Sequence, residues 1–271
     1  MSSSTGTTKS TPNNNKKVKI SPPIELFLLF WVDEWDSGTK MFSESAQTRL
    51  KNIKKSSWYK SSIHKVHCPP IQALQEIQVI INNYIKKYGG KSKVRTREVS
   101  IFSHSGTDGP ITYDTPNDPP LNDKKKQMHI DGWSSIDFNW ATYKGVTTTR
   151  CVFFGCRSAL KTNSFAKRIS ALPNYSTVEV IGQSTSSFPS VFPDYRVTTG
   201  ARSIPIFGGA GWDIANTYMV GSLGGKGLDS ITWQGVEKPN LKDFPKAEVM
   251  RFYKNNTITN NSHQGIFNDH R

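Results

Sequence analysis

Apolar and polar positions divide most of the chain into two alternating textures. One is the short saturated run: Ile24–Val32 is apolar except for Glu25, and its length suits a strand buried on both faces. The other is an apolar stripe at three- and four-residue steps. Residues 41–55 carry Met41, Phe42, Ala46, Leu50 and Ile53 in that manner and predict a helix. A second strand is expected over 63–68. Pro69-Pro70 then opens a long helix in which Ile71, Leu74, Ile77, Ile81, Tyr84, Ile85 and Tyr88 recur, stopped by Gly89-Gly90. Further strands are expected up to His104, over 150–155 and over 177–182, with a helix at 158–172 between the last two. Residues 107–126, rich in Gly, Pro, Asp and Asn, read as loop with a hairpin, and 128–140, with Trp133 and Trp140, as a packed insertion.

This order predicts an α/β fold, a mainly parallel, doubly wound sheet with flanking helices. Its core is expected over 24–186. After Ser184 the pattern loosens into an irregular, β-rich and loop-rich extension, 187–271, within the same domain, 23–271. Gly208-Gly209-Ala210-Gly211 lacks the Lys-Ser/Thr of a phosphate loop and reads as flexible loop. Residues 1–22, rich in Ser, Thr, Asn and Lys, predict a disordered leader without the apolar core of a secretory signal. The expectation is a protein made in the cytoplasm, or one exported without a cleavable signal. No apolar run approaches the roughly 18 residues of a membrane helix.

Charge alters this picture because it is uneven. Of the net +14, residues 1–20 contribute four Lys and no acid, and 49–97 contribute twelve Lys/Arg against Glu76 alone, leaving the remainder close to neutral. Such a block is either a solvated surface or an attractor of an anionic partner. Three cysteines, Cys68, Cys151 and Cys156, are too few for a disulfide framework and predict reduced thiols. His64, His67 and Cys68 are close in sequence, but His67 and Cys68 would point to opposite faces of a strand, and no CxxC or HxxxH pair occurs. Neither a metal nor a cofactor is expected.

Two apolar runs end on groups that carry chemistry: Val99-Ser100-Ile101-Phe102-Ser103-His104 and Cys151-Val152-Phe153-Phe154-Gly155-Cys156. If the two strands are neighbours, an imidazole and a thiol emerge together at the carboxyl edge of a parallel sheet, where open α/β sheets hold their ligands. The pair is a candidate hydrolytic dyad. A helix opening after Cys156, with Arg157 beside it, would favour the thiolate. Backbone N–H groups of Cys156 and of Ser105 or Gly106 would hold an oxyanion. Asp33 and Asp36, at the end of the first strand, could receive a basic substrate side chain or stand as surface acids. Asp108 has the same two options, substrate contact or an Asp-Gly turn. Arg157 and Ser184, the latter beyond the fifth strand, complete the candidate substrate-binding set.

Strand-His-turn followed by strand-Cys-turn, after a β-α-β-α lead-in, resembles the caspase-like family of cysteine peptidases over residues 24–186. The resemblance implies a three-layer sandwich with the catalytic His after the third strand, here His104, and the catalytic Cys after the fourth, here Cys156. It lies in order and spacing. The pentapeptide of caspases around the Cys is absent, and Ser105 stands where that family has the Gly of its His-Gly turn. The implied function is cysteine-dependent hydrolysis of a peptide or amide bond, in a bacterial effector or toxin acting on a protein or peptide substrate, with an acidic inhibitor or immunity protein as a further partner. The alternative is a non-catalytic α/β binding protein whose basic block engages nucleic acid or an acidic protein. Nucleic acid is not the expected partner: no nucleic-acid motif is present, and of the block's aromatics, Trp58, Tyr59, Tyr84 and Tyr88, two read as core.

Overall fold

Nine consecutive residues, Ile24–Val32 (β1), form the strand around which the protein is built. Leu26, Leu28, Phe30 and Val32 join one buried cluster, and Phe27 and Leu29 join another on the opposite face. That period of two with both faces apolar belongs to an internal strand covered on either side. The computed structural model describes Met1 and residues 22–34, 37–112, 128–143, 145–146, 148–184, 186–190, 198–204, 209–213, 219–221 and 249–262. Most of the expected leader, and Asp36, fall outside them.

The further elements of the sheet and its helices are α1 (Ser37–Lys55), β2 (His64–His67), β3 (Pro70–Ile71), α2 (Leu74–Lys87), β4 (Val94–Phe102), a hairpin of β5 (Ser105–Gly106) and β6 (Gly109–Pro110), α3 (Ile130–Trp133), β7 (Arg150–Phe153), α4 (Phe165–Ser170) and β8 (Glu179–Gln183). After these come β9 (Ser186–Ser190), β10 (Thr198–Ile204), β11 (Gly209–Asp213), β12 (Met219–Gly221), β13 (Met250–Lys254) and β14 (Thr257–Ser262). The main sheet runs β14-β13-β8-β7-β4-β1-β2, with β3 also on β1. Strands β2, β1, β4, β7 and β8 are parallel, whereas β13 is antiparallel to β8 and β14 to β13. The protein therefore has an α/β fold around a mixed, mostly parallel eight-stranded sheet.

Helix α1 covers one face through Phe42, Ala46 and Ile53, and α2, α3 and α4 cover the other through Ile77, Ile81, Ile85, Trp133, Phe165 and Ile169. Strand β1 connects by way of α1 to β2 on one side of it. Strand β4 connects by way of the insertion to β7 on the other side, so the chain reverses direction between β1 and β4.

The structure differs from expectation at three places, the first for a local reason and the others through strand pairing. Pro69-Pro70 does not open α2. A residue before proline is held extended, so this segment continues the sheet as β3, Trp31 N–H donating to Pro69 O at 3.2 Å, and the helix begins at Leu74. Gly209–Asp213, expected as loop, pairs with β10 in a four-stranded sheet ordered β11-β10-β9-β12. And β13 and β14, from the region beyond the expected core, extend the main sheet.

Beneath α1 the otherwise apolar sheet face holds a buried polar group. Arg49, wholly buried, donates from Nη2 to Glu98 Oε2 at 2.6 Å and from Nε to Oε1 at 3.0 Å, and Ser100 Oγ donates to Oε1 at 2.8 Å. The pair fastens α1 to β4. Removing one partner strands a buried charge, so Arg49→Ala is expected to lower unfolding free energy by about 3–5 kcal/mol, and Arg49→Met with Glu98→Leu by far less, measured by urea denaturation.

At the outer strand β2, His67 stacks on Tyr84 with ring centroids 4.1 Å apart, and its Nε2 is 2.9 Å from Tyr88 Oη. Burial, then the charges of Lys87, Lys54 and Lys65, push its pKa from 6.5 down to about 4. The unfolded chain thus binds more protons between those values, so the contribution of neutral His67 to stability is full above pH 6.5 and is lost as pH falls toward 4. Urea midpoints across this range are expected to fall more steeply for the wild type than for His67→Phe.

Candidate active site

Strands β4 and β7 pair in parallel from Glu98↔Arg150 to Ile101↔Phe153. His104 and Cys156 each lie three residues beyond that last pair, so two adjacent strands release them at the same level. The alignment persists past the ladder. Phe154 N–H donates to Ile101 O at 2.9 Å, and the Phe102 and Phe154 rings stack at 4.5 Å. Next comes Gly155. A Cβ there would sit 2.3 Å from Ser105 Cβ and 2.9 Å from Ser103 O. The residue before Cys156 therefore packs directly on both residues that flank His104, at a closeness only glycine permits.

His104 projects from this edge with a side chain 52% exposed, its ring edge-on to Phe42 at 5.1 Å. Its Nε2 is 3.5 Å from Oε2 of Glu34, a carboxylate only 10% exposed. Glu34 follows β1 in a turn held by Thr39, whose Oγ1 accepts from Glu34 N–H at 2.6 Å and donates to Asp33 Oδ1 at 3.0 Å. This carboxylate–imidazole contact bridges the ends of β1 and β4, the point where the connections diverge and where α/β sheets open a crevice. Asp33 is thus committed to the turn into α1, and its neighbour Glu34 is the acid that reaches the imidazole. Sequence reasoning missed Glu34, although its place at the same strand end was a usable signal.

The hairpin after His104 discriminates between the two candidate oxyanion donors. Ser105 pairs with Pro110, which has no N–H, and Ile111 N–H donates to His104 O at 2.8 Å. An antiparallel pair of this register has Gly106 N–H donating across to Gly109. Gly106 is consumed by the hairpin, and the Ser105 amide points away from it. The turn Thr107-Asp108 is tight because Gly109 adopts φ +122° with Phe165 Cε2 2.7 Å from where a Cβ would be. Asp108 lies 3.5 Å from Arg168 Nη2, and the same nitrogen donates to Thr107 O at 2.8 Å, so the turn is fastened to α4.

Cys156 is half-buried in a turn and does not head a helix. The helix expected over 158–172 is only Phe165–Ser170, capped by Ser164, whose hydroxyl accepts from Lys167 N–H. Two features hold 156–159 out of helix. Arg157, exposed, adopts a left-handed φ of +53°, and Ser158 Oγ lies 3.1 Å from both Phe153 O and Gly155 O while accepting from Gln183 N–H at 2.9 Å. A left-handed backbone at a residue with a Cβ costs about 1–2 kcal/mol, and Ser158, buried and anchored to β8, supports it. Gln183 Nε2 also donates to Phe154 O at 2.6 Å. A helix N-terminus therefore does not activate the thiol, and Arg157 remains the cation adjacent in sequence. Ser184 is buried, its hydroxyl donating to Val249 O at 2.6 Å, where β8 meets the strand returning through β13.

The other thiols differ in kind. Cys151 is wholly buried, which pushes its pKa up, and burial pushes Cys68 up to about 12. Beyond the Cys156 turn, Lys161, Lys167 and Arg251 line an open cavity of about 600 Å³, with no acidic residue among the described ones that line it. Two distant segments, 161–167 and the strand at Arg251, supply these cations, so no local motif announces them. Among the described residues no three His, Cys, Asp or Glu side chains are grouped to hold a metal ion, and no helix is long and apolar enough to cross a membrane. No protein-family model and no curated protein matches the chain.

The glycine contact makes the site testable without knowledge of a substrate. Gly155→Ala is expected to force the two loops apart and lower stability by about 1–3 kcal/mol, read as a lowered urea midpoint. An unchanged midpoint means the loops do not abut there.

Proposed function

We propose that this protein is a cysteine peptidase of caspase-like type, with Cys156 as nucleophile and His104 as general acid–base. The contact of Gly155 with Ser103 and Ser105 carries this reading, because it fixes the thiol-bearing and imidazole-bearing turns against each other at one sheet edge. In the reaction, the Cys156 thiolate adds to a peptide carbonyl carbon and the carbonyl electron pair moves to oxygen. The N–H groups of Cys156 and Ser105 are the proposed donors to that oxyanion. Collapse expels the amine, which takes a proton from His104. Water, deprotonated by His104, then cleaves the thioester and returns the thiol. Glu34 orients the imidazole and favours its protonated form in the steps where His104 carries the charge. Thiolate formation draws on the imidazolium and on Arg157 in place of a helix dipole.

The sheet supports the family resemblance at the level of order: the imidazole follows the third parallel strand of the chain's main succession and the thiol follows the fourth, side by side. A role as an effector or toxin, with an acidic inhibitor, belongs to the same proposal and is consistent with the net charge of +14.

Cys156→Ala is expected to abolish cleavage in a peptide-library assay while leaving the circular dichroism spectrum unchanged, and retained turnover overturns the assignment. At pH 8 a limiting haloacetamide probe should alkylate Cys156 ahead of Cys68 and Cys151, whose thiols burial keeps protonated. Glu34→Gln should lower kcat by about tenfold or more and shift the pH–rate profile, with KM little changed.

A further inference from the structure

The basic block lies at the other end of the sheet. Helices α1 and α2 run back from the carboxyl edge, so their last turns, with Lys54, Lys55, Lys86 and Lys87, stand at the amino edge. Lys60 stands four residues before β2, and Lys93 immediately precedes β4. β1 spans about 26 Å between the two edges, at ~3.3 Å per residue.

The structure also sorts the cations of the block. Arg49, Lys91 and Arg97 face Glu98, Asp137 and Glu25 respectively. The exposed Lys54, Lys55, Lys60 and Lys87 have no acidic partner among the described residues. They come from separate elements, Lys54 and Lys55 from the helix on one face of the sheet and Lys87 from the helix on the other, and flank the edge strand β2 from both sides. Lys54, Lys65 and Lys87 all bear on His67, and Lys60 bears on His64, the two histidines being the ends of edge strand β2.

On the α1 side of this edge is a partly exposed aromatic. Trp58, flanked by Lys54-Lys55 and Lys60, is 38% exposed. Its ring stacks on Phe27 at 5.5 Å and meets His64 at 5.4 Å, while Phe27 and His64 are 5.6 Å apart. The three centroids make a near-equilateral triangle, so both neighbours lie to one side of the indole, which keeps 38% of its surface exposed. A supported, partly exposed ring with the exposed Lys54, Lys55 and Lys60 close to it in sequence can stack a base while the ammonium groups follow the phosphates. A ring pinned flat on Phe27 is poorly placed to insert into a bilayer as a wedge, and lysines in place of arginines supply point charge without paired recognition of carboxylates.

We infer that the surface around Trp58, Lys54, Lys55, Lys60 and Lys87 binds single-stranded nucleic acid without sequence preference, by stacking on Trp58 and by phosphate contacts. This goes beyond the peptidase proposal and is independent of it, since the two surfaces lie at opposite sheet edges.

The test uses the full chain and a fluorescently labelled 20-mer oligo(dT) or oligo(U), followed by anisotropy across a salt series. Cys156→Ala serves as the parent, so binding is read without cleavage. Trp58→Ala is expected to weaken binding by about tenfold and Trp58→Phe by much less. Replacing Lys55, Lys60 and Lys87 together by Glu should remove most of the affinity. Replacing the same three by Gln should flatten the slope of log K against log salt by about 2. Each variant retains its circular dichroism melting transition. Unchanged affinity in the lysine variants assigns any binding to the leader and overturns the inference. So does binding of phosphatidylserine vesicles in place of the oligonucleotides, or binding indifferent to Trp58→Ala.

Discussion

The parallel pairing of β4 with β7 is the constraint on which the candidate site depends. Two parallel strands in register end level, and the chain leaving each must find its own way off the sheet. Here one exit carries an imidazole and the other a thiol three residues on, and both are restrained: by Phe102 stacked on Phe154, and then by Gly155 lodged against Ser103 and Ser105. A shift of one residue would send Val152 and Phe153 to the wrong faces and separate the two exits. The buried residues on both faces of β7 forbid that shift.

Support for this edge is layered behind it. Ser158 and Gln183 brace the Cys156 turn against β8, Arg168 braces the hairpin after His104 against α4, and Glu34 reaches His104 from the end of β1. Groups on four strands and a helix therefore meet around one crevice. Arg49 and Glu98 act one layer deeper, locking α1 to β4 and so fixing Phe42 beside the imidazole. Charge follows the same polarity of the sheet. Lysines without an acidic partner among the described residues stand at the amino edge, while the carboxyl edge holds the acid–imidazole contact, so each end presents a different chemistry to its surroundings.

Strands were legible where burial made them so. The run Ile24–Val32 has no other stable use than an internal strand, and the apolar steps Ile77, Ile81 and Ile85 have none other than a helix face. The helix expected from residue 158 was not legible correctly, because the apolar spacing of Phe165, Ile169 and Leu172 was extended backward through residues whose conformation is decided elsewhere. Ser158 bonds to β8, and Arg157 is left-handed. Trp58 was likewise ambiguous, since an indole beside lysines reads equally as core or surface until Phe27 and His64 are seen on one side of it.

By itself the amino-acid sequence determined the α/β class, the succession of the parallel strands and the location of His104 and Cys156 at strand ends. These follow from periodicity and solvent exclusion, which act over a few residues. Only the tertiary structure decided that Glu34 faces the imidazole, that Ser105 and not Gly106 keeps its amide off the hairpin, that the thiol sits in a turn, and that lysines from separate elements flank one edge strand. Each of these depends on register and packing between segments distant in the chain, and no short-range pattern encodes such distances.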